Sequence, residues 1–181
     1  MGRVIFSVMT TLDGFFEGPN RELDWHYADD EHNEFALRTF KSAGALVFGR
    51  VCYEMMAGYW PTASRVDPVT DLMNDTPKIV FSRTLKKVDW KGTTLLSGEV
   101  AEEVPRLKRE LKGDLFIMGS ARLAESFLKA GLLDEVQLMV CPLFLGRGKP
   151  LFPELRDPKR MELVKTKTRR SGVVELTYSI A

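Results

Sequence analysis

The stretch that decides the fold is Asp114–Gly131, DLFIMGSARLAESFLKAG. Leu115-Phe116-Ile117-Met118 is an apolar run of the length expected for a strand buried on both faces. Gly119 turns the chain and Ser120 stands where a helix N-cap would be. Leu123, Ala124, Phe127 and Leu128 then recur at helical spacing, and Gly131 supplies the C-terminal stop. Strand, small-residue turn and helix in this order aim backbone N–H groups at the space beyond the strand's end, a setting that favours phosphate. One such junction is ordinary in α/β proteins and usually binds nothing.

The pattern recurs, however. Leu46-Val47-Phe48 runs into Gly49-Arg50, and Ile79-Val80-Phe81 into Ser82-Arg83, just as Leu115–Met118 runs into Gly119-Ser120-Ala121-Arg122. Parallel strands bring their C-terminal ends to one sheet edge, where open α/β folds bind ligands. Small residues there allow close approach of an anion, and arginine's planar fork suits phosphate. A single surface arginine past a strand is common. Three of them point to a nucleotide carrying several phosphates.

Outward from these segments the chain alternates strand and helix signals. Arg3–Met9 reads as the first strand, and Thr10–Asn20, with Asp13-Gly14 and Gly18-Pro19-Asn20, as a long loop. Phe15, Phe16 and Trp25 are too much aromatic surface for plain linker and indicate a lid or pocket wall. Asp29 or Asp30 opens a helix running to about Ser42. Ala45–Phe48 is a strand, Arg50–Ala57 a short helix stopped by Gly58, and Tyr59–Asn74, with Pro61 and Pro68, a loop. The spacing predicts strands at Lys78–Phe81, Thr93–Leu96 and Glu135–Cys141, and an amphipathic helix over Glu99–Leu111. A loop over Pro142–Pro153 holds Gly146-Arg147-Gly148, and Met161–Arg169 with Val173–Ile180 forms a closing hairpin around Ser171-Gly172. The expected fold is α/β, a mostly parallel central sheet flanked by helices with an antiparallel C-terminal hairpin, in one domain over residues 1–181.

Composition narrows the functional classes. The 181 residues are 44% hydrophobic and 28% charged, ordinary for a globular domain with a full core. A net charge of +1 gives no bulk field for DNA, RNA or an anionic membrane, so nucleic acid and membrane are not expected partners. Cys52 and Cys141 lack metal-ligand spacing and read as buried thiols, which fits a reducing cytoplasm. Neither a signal-peptide pattern nor an apolar run of spanning length occurs.

Rossmann, Walker A and G-x-S-x-G motifs are absent. His26 and His32 do not share a helical face and no third histidine exists, so no metal site is expected. Asp13 follows the first strand at the edge assigned to the nucleotide; it is either a proton-relaying carboxylate or the aspartate of an Asp-Gly turn. Asp30 and Glu34, at the start of the first helix, are the other candidate acids.

Taken together, the strand ends resemble those of known reductases. Val47–Glu54 (VFGRVCYE), Ile79–Arg83 (IVFSR) and Phe116–Ser120 (FIMGS) resemble the cofactor-binding segments of dihydrofolate reductases. Thr11–Gly14 (TLDG) and Pro142–Gly148 (PLFLGRG) are more similar to the reductase domain of bifunctional riboflavin-biosynthesis deaminase-reductases. Nearly end to end, the chain resembles the stand-alone bacterial group between the two, usually called dihydrofolate reductase family proteins.

The resemblance implies a dihydrofolate reductase-like fold with NADPH as hydride donor. By motif position Gly49, Arg50 and Val51 meet the cofactor, Arg50 near its 2′-phosphate. Ser82 and Arg83 line the adenosine portion, while Gly119, Ser120, Arg122 and Leu123 cradle the pyrophosphate. Trp25 matches a tryptophan beside the pterin. Asp30 falls where the catalytic acid of dihydrofolate reductases would, with Glu34 as its alternative, and Gly146 lies toward the substrate. Gly119-Ser120-Ala121 departs from the two or three glycines common at that place, and the deaminase domain has no counterpart.

The implied activity is hydride transfer from the nicotinamide to a C=N or C=O carbon of a small heterocyclic substrate. That substrate is a phosphoribosylaminouracil-like pyrimidine or a pterin such as dihydrofolate, with Asp13, ahead of Asp30, as proton relay. The alternative is a non-catalytic NADPH- or nucleotide-binding protein of the same fold. A homodimer is expected, from the resemblance and because the apolar C-terminal strands leave an edge to cover.

Overall fold

Two-residue alternation along buried strands sorts their side chains onto two faces, and each face here has its own helices. The computed structural model describes residues 2–67 and 69–180; Pro68, read as part of a loop, lies outside the described residues. In chain order the elements are β1 (Val4–Thr11), β2 (Phe15–Glu17), α1 (Asp30–Ser42), β3 (Ala43–Gly49), α2 (Arg50–Tyr59), α3 (Thr70–Asp75), β4 (Lys78–Phe81) and β5 (Thr93–Leu96). They continue with α4 (Val100–Glu110), β6 (Asp114–Met118), α5 (Ala121–Lys129), β7 (Glu135–Cys141), β8 (Lys149–Pro150), β9 (Met161–Thr168) and β10 (Val174–Ile180).

The main sheet has the order β5-β4-β3-β6-β1-β7-β10-β9. Every pairing from β5 to β7 is parallel, and β10 runs antiparallel to both β7 and β9. This is the mixed architecture anticipated from the strand–helix alternation and the closing hairpin. Phe6, Val47, Ile79 and Ile117 pack on one face against Val104 and Leu107 of α4 and Ala124 and Phe127 of α5. Ile5, Leu46, Phe48 and Phe116 pack on the other against Phe40 of α1, Tyr53 of α2 and Met73 of α3. Strands covered on both sides read as unbroken apolar runs.

Three short features differ from expectation. First, α2 continues through Gly58 to Tyr59, and Trp60 still donates its N–H to Met56. An interior glycine costs a helix only about 1 kcal/mol relative to alanine; the helix ends at Pro61, which has no N–H and opens a 3₁₀ turn over Trp60–Thr62. Second, the segment Tyr59–Asn74 holds α3 as well as loop. The buried Lys78 ammonium donates to the carbonyls of Met73, Asn74 and Thr76 at 3.0, 2.8 and 2.7 Å, satisfying the end of that helix. It also lies 4.6 Å from the Trp90 ring centroid, and burial pulls its pKa down to about 8. Third, β2 and β8 pair antiparallel inside the two segments read as loops, joined by the Lys149–Glu17 ion pair at 3.0 Å. Among the described residues no helix is long and apolar enough to cross a membrane.

Candidate functional site

Register places the arginine-bearing strand ends side by side. Gly49 of β3 lies opposite Phe81 of β4, and Val47 opposite Ile117 of β6. Ser7 of β1 faces Met118, and Thr11 faces Cys141 of β7, so the parallel strands finish along one edge. Two helices start at the middle of that edge, α2 directly after Gly49 and α5 directly after Ser120.

The turns between strand and helix are built for close approach. Gly119 has φ +61°, a left-handed conformation that a side chain would strain, and its N–H reaches Ser7 at 3.2 Å. Ser120 occupies the N-cap position of α5 without a side-chain bond to its own helix. Its hydroxyl instead accepts the Gly49 N–H at 2.9 Å, tying the tips of β3 and β6 together. A Cβ on Gly49 would stand 3.6 Å from Ser120 Oγ and 3.9 Å from the Leu123 Cβ. Beneath them the Cys52 thiol donates to Met118 at 3.1 Å, and burial pushes its pKa up to about 11. Gly49 and Ser120 thus form a small-residue saddle, bordered by Leu123, between two helix N-termini, neither with an acidic residue in its first turn.

Around this saddle stand the arginines. Arg50 opens α2 and pairs with Glu54 at 3.1 Å, Arg83 pairs with Glu99, and Arg122 is exposed in the first turn of α5. Val51, beside Arg50, is 37% exposed. The Ser82 hydroxyl accepts from the Thr84 and Leu85 N–H groups at 3.2 and 3.0 Å, holding the turn that presents Arg83.

A second group lies where β1 and β7 end. The Asp13 carboxylate accepts from Thr11 Oγ1 at 2.5 Å, Leu145 N at 3.2 Å and Gly146 N at 2.8 Å. The Thr11 hydroxyl, opposed by burial and helped by the Gly146 and Leu145 amides, holds this carboxyl below the usual carboxylate range. Gly146, with φ +76°, turns the loop so that its N–H meets Asp13. Leu12 donates to the Leu143 carbonyl at 3.0 Å, which leaves Leu12 and Phe144 as an exposed apolar rim.

Trp25 packs half-buried on Met9, Met139, Cys141 and Val173, its indole N–H donating to the Glu22 carbonyl at 3.2 Å. Trp25 therefore packs on the sheet end rather than standing free as a linker residue. Asp29 rather than Asp30 caps α1, accepting the His32 N–H at 2.8 Å. Asp30 is exposed in the first turn, and Glu34, one turn on, faces Arg38 at 3.9 Å.

Sequence reasoning missed Arg169. Its side chain is fully buried; Nε donates to Glu175 at 2.7 Å, Nη1 lies 3.7 Å from Asp29, and the guanidinium is 5.7 Å from the Phe35 ring. His26 and His32 stand in the same group. Burial, reinforced by His32, brings the pKa of His26 down to about 4; burial and Arg169 lower that of His32. Glu31 receives the Arg170 N–H at 2.8 Å, so the hairpin turn is clamped onto the start of α1. In sequence, Arg169 reads as the last residue of the first hairpin strand, beside the Ser171-Gly172 turn, with no signal of burial. Arg169 follows β9, its N–H donates to the Val173 carbonyl at 2.8 Å, and the hairpin it closes pairs with β7 through β10.

Comparison with known proteins gives this arrangement its family. The sequence pattern of the RibD C-terminal domain matches residues 3–175. The chain belongs to that family. Another similar protein, the uncharacterized YyaP of Bacillus subtilis (strain 168), is 34% identical over 97% of this chain and 94% of its own. Among solved structures, a Shewanella sp. PV-4 protein provisionally described as a riboflavin biosynthesis protein has a TM-score of 0.82 at 23% identity, over 100% of this chain and 99% of that one. Dihydrofolate reductase from Enterococcus faecalis, complexed with NADP(H), has a TM-score of 0.65 at 16% identity, over 99% and 96% of the two chains. The RibD C-terminal domain thus has a dihydrofolate reductase-like fold here, as the strand-end motifs implied.

Proposed function

We propose that this protein is an NADPH-dependent reductase acting on a small heterocycle of the pyrimidine or pterin class. The observation that carries the proposal is the saddle at Gly49 and Ser120, bordered by Leu123, set between two helix N-termini and ringed by Arg50, Arg83 and Arg122. Arg50 is telling. A cation at the first position of a helix opposes the helix dipole, so its placement makes physical sense when an anion sits in front of it. The residues present fit a dinucleotide: the amides of α2 and α5 with Ser120 for the pyrophosphate, and Arg50 and Arg83 for the 2′-phosphate. When bound, NADPH supplies the hydride.

The remaining chemistry belongs to the chain's own residues. Trp25 and the Leu12–Phe144 rim flank the end of β1 and exclude water from a flat ring placed there. Asp13, held as an anion at neutral pH, is a poor store of protons. It acts as a relay, accepting a substrate N–H or O–H at a carboxylate oxygen and passing on a proton drawn from solvent, while fixing the Leu145–Gly146 backbone. Asp30 is the second candidate for this role. Free buried thiols at Cys52 and Cys141 suit a reducing cytoplasm.

Oxidation of NADPH with a panel of aminouracils and pterins tests the proposal, and turnover with at least one of them is expected. Tight NADPH binding with no turnover across the panel favours the non-catalytic alternative. Asp13→Asn should lower turnover by about 10²–10⁴-fold, the usual span for a proton-transfer group, and leave NADPH binding near wild type. Turnover that survives in Asp13→Asn and fails in Asp30→Asn moves the acid to α1.

A second copy of the chain is the proposed partner of β9. All but one residue of this edge strand are exposed, including Met161, Leu163 and Val164, and a long open apolar edge invites strand pairing. Antiparallel self-pairing about Val164 and Lys165 sets Glu162 opposite Lys167. Light scattering at micromolar concentration should give a dimer; a monomer there rejects it.

A further inference from the structure

Resting on the assignment of the 2′-phosphate to Arg50 and Arg83, we propose that Glu54 and Glu99 are specificity-determining residues. Each occupies one of the two arginines and holds the preference for a phosphorylated cofactor below what the arginines alone would give. Arg50 Nη1 donates to both carboxylate oxygens of Glu54, at 3.2 and 3.1 Å, and Arg83 Nη2 donates to Glu99 Oε1. The side chains are 46% and 45% exposed in the first pair and 70% and 62% in the second. Both pairs therefore stand in solvent at the strand ends, open to an arriving phosphate. Arg122, across the saddle, has no acidic partner among the described residues.

Helix stability does not account for either glutamate. Arg50 precedes Glu54 by one turn at the start of α2, the weaker order for such a pair, with the arginine opposing the helix dipole. Glu99 is the N-cap residue of α4, yet its side chain makes no capping bond, and Glu102 and Glu103 already place acid in that first turn. Apart from its pairing with Arg83, the Glu99 carboxylate makes no bond that stabilises its own helix.

The electrostatic consequence is direct. Two arginines and two glutamates sum to zero at the subsite, whereas a 2′-phosphate carries about −1.5 to −2 near neutral pH. To engage the guanidinium forks it must displace or share both carboxylates. NADH, without that phosphate, makes no such demand. Neutralising one glutamate leaves the subsite one charge more positive and one fork free. The gain is that of an exposed ion pair, about two- to fivefold in affinity.

The test is a titration of NADPH, NADH and the fragment adenosine 2′,5′-bisphosphate against wild type, Glu54→Gln, Glu99→Gln and the double variant, at one low and one physiological salt concentration. Each single variant should bind NADPH and the bisphosphate about two- to fivefold more tightly, and the double variant more tightly than either. NADH affinity should stay constant, and the gain should shrink with salt. Equal shifts for NADPH and NADH, or weaker NADPH binding in the variants, overturn the inference. Wild type that binds NADPH with a preference unchanged by either substitution overturns this inference alone; wild type that binds neither cofactor overturns the reductase reading with it.

Discussion

Arginine appears in two opposite settings at the same sheet edge. Arg50 and Arg83 lie in solvent past β3 and β4, each beside one exposed carboxylate. Arg169, past the junction of β10 with β7, is wholly enclosed and held by Glu175 and Asp29 beside two histidines. The first pair can change partners cheaply, because water replaces whatever is lost. Arg169 cannot, because its partners are its only solvation. Exposure, more than residue type, separates an arginine proposed to meet a ligand from one that holds the chain together.

Substitution at each place should therefore fail in different assays. Arg169→Ala leaves the Glu175 carboxylate buried and unpaired, which should cost about 3–5 kcal/mol of folding stability, read from urea midpoints. Arg169→Met with Glu175→Leu should recover most of that loss. A small effect for the single variant would erase the contrast between the two regions. Arg50→Ala should leave stability within about 0.5 kcal/mol. It should weaken NADPH binding about ten- to a hundredfold, the worth of a charge-assisted hydrogen bond, and leave NADH nearly unchanged. Equal losses for both cofactors would return Arg50 to the status of a surface residue.

A last contrast is acid sensitivity, which between about pH 6.5 and 4 should come chiefly from the buried region. His26 takes up its proton near the ordinary value of 6.5 when unfolded, but only near about 4 when folded, because burial and His32 disfavour the charge. The unfolded state therefore binds more protons between those values, and stability falls as the pH drops from 6.5 toward 4. His32, facing Arg169, Asp29, Glu175 and Asp67, adds a shift of the same sign. Melting temperature against pH should show this slope in wild type and a shallower one in His26→Gln.

The same contrast explains what could be read from sequence. LFIM, LVF and IVF were legible because parallel strands buried on both faces leave no polar positions, and the arginines because each follows such a run within a few residues. β2, α3 and the inward turn of Arg169 were not. β2 exists through its pairing with Lys149–Pro150, α3 is finished by the Lys78 ammonium, and Arg169 is buried by strands that pair across the sheet. The glutamates on Arg50 and Arg83 fall between these cases. Glu54 lies one helical turn from Arg50, but Glu99 reaches Arg83 only because β5 returns parallel to β4.

Ser120 has given its hydroxyl to the neighbouring strand, so α5 starts without a side-chain cap. Timing follows from that. In the free protein the first-turn amides of α5 should open and exchange their hydrogens quickly, while those further along stay protected by the packing of Ala124 and Phe127. An anion settling on the saddle takes the place of the absent cap, and the same amides should slow. The chain leaves this helix uncapped, and slower exchange on adding NADPH is the expected signature of an anion held in front of it.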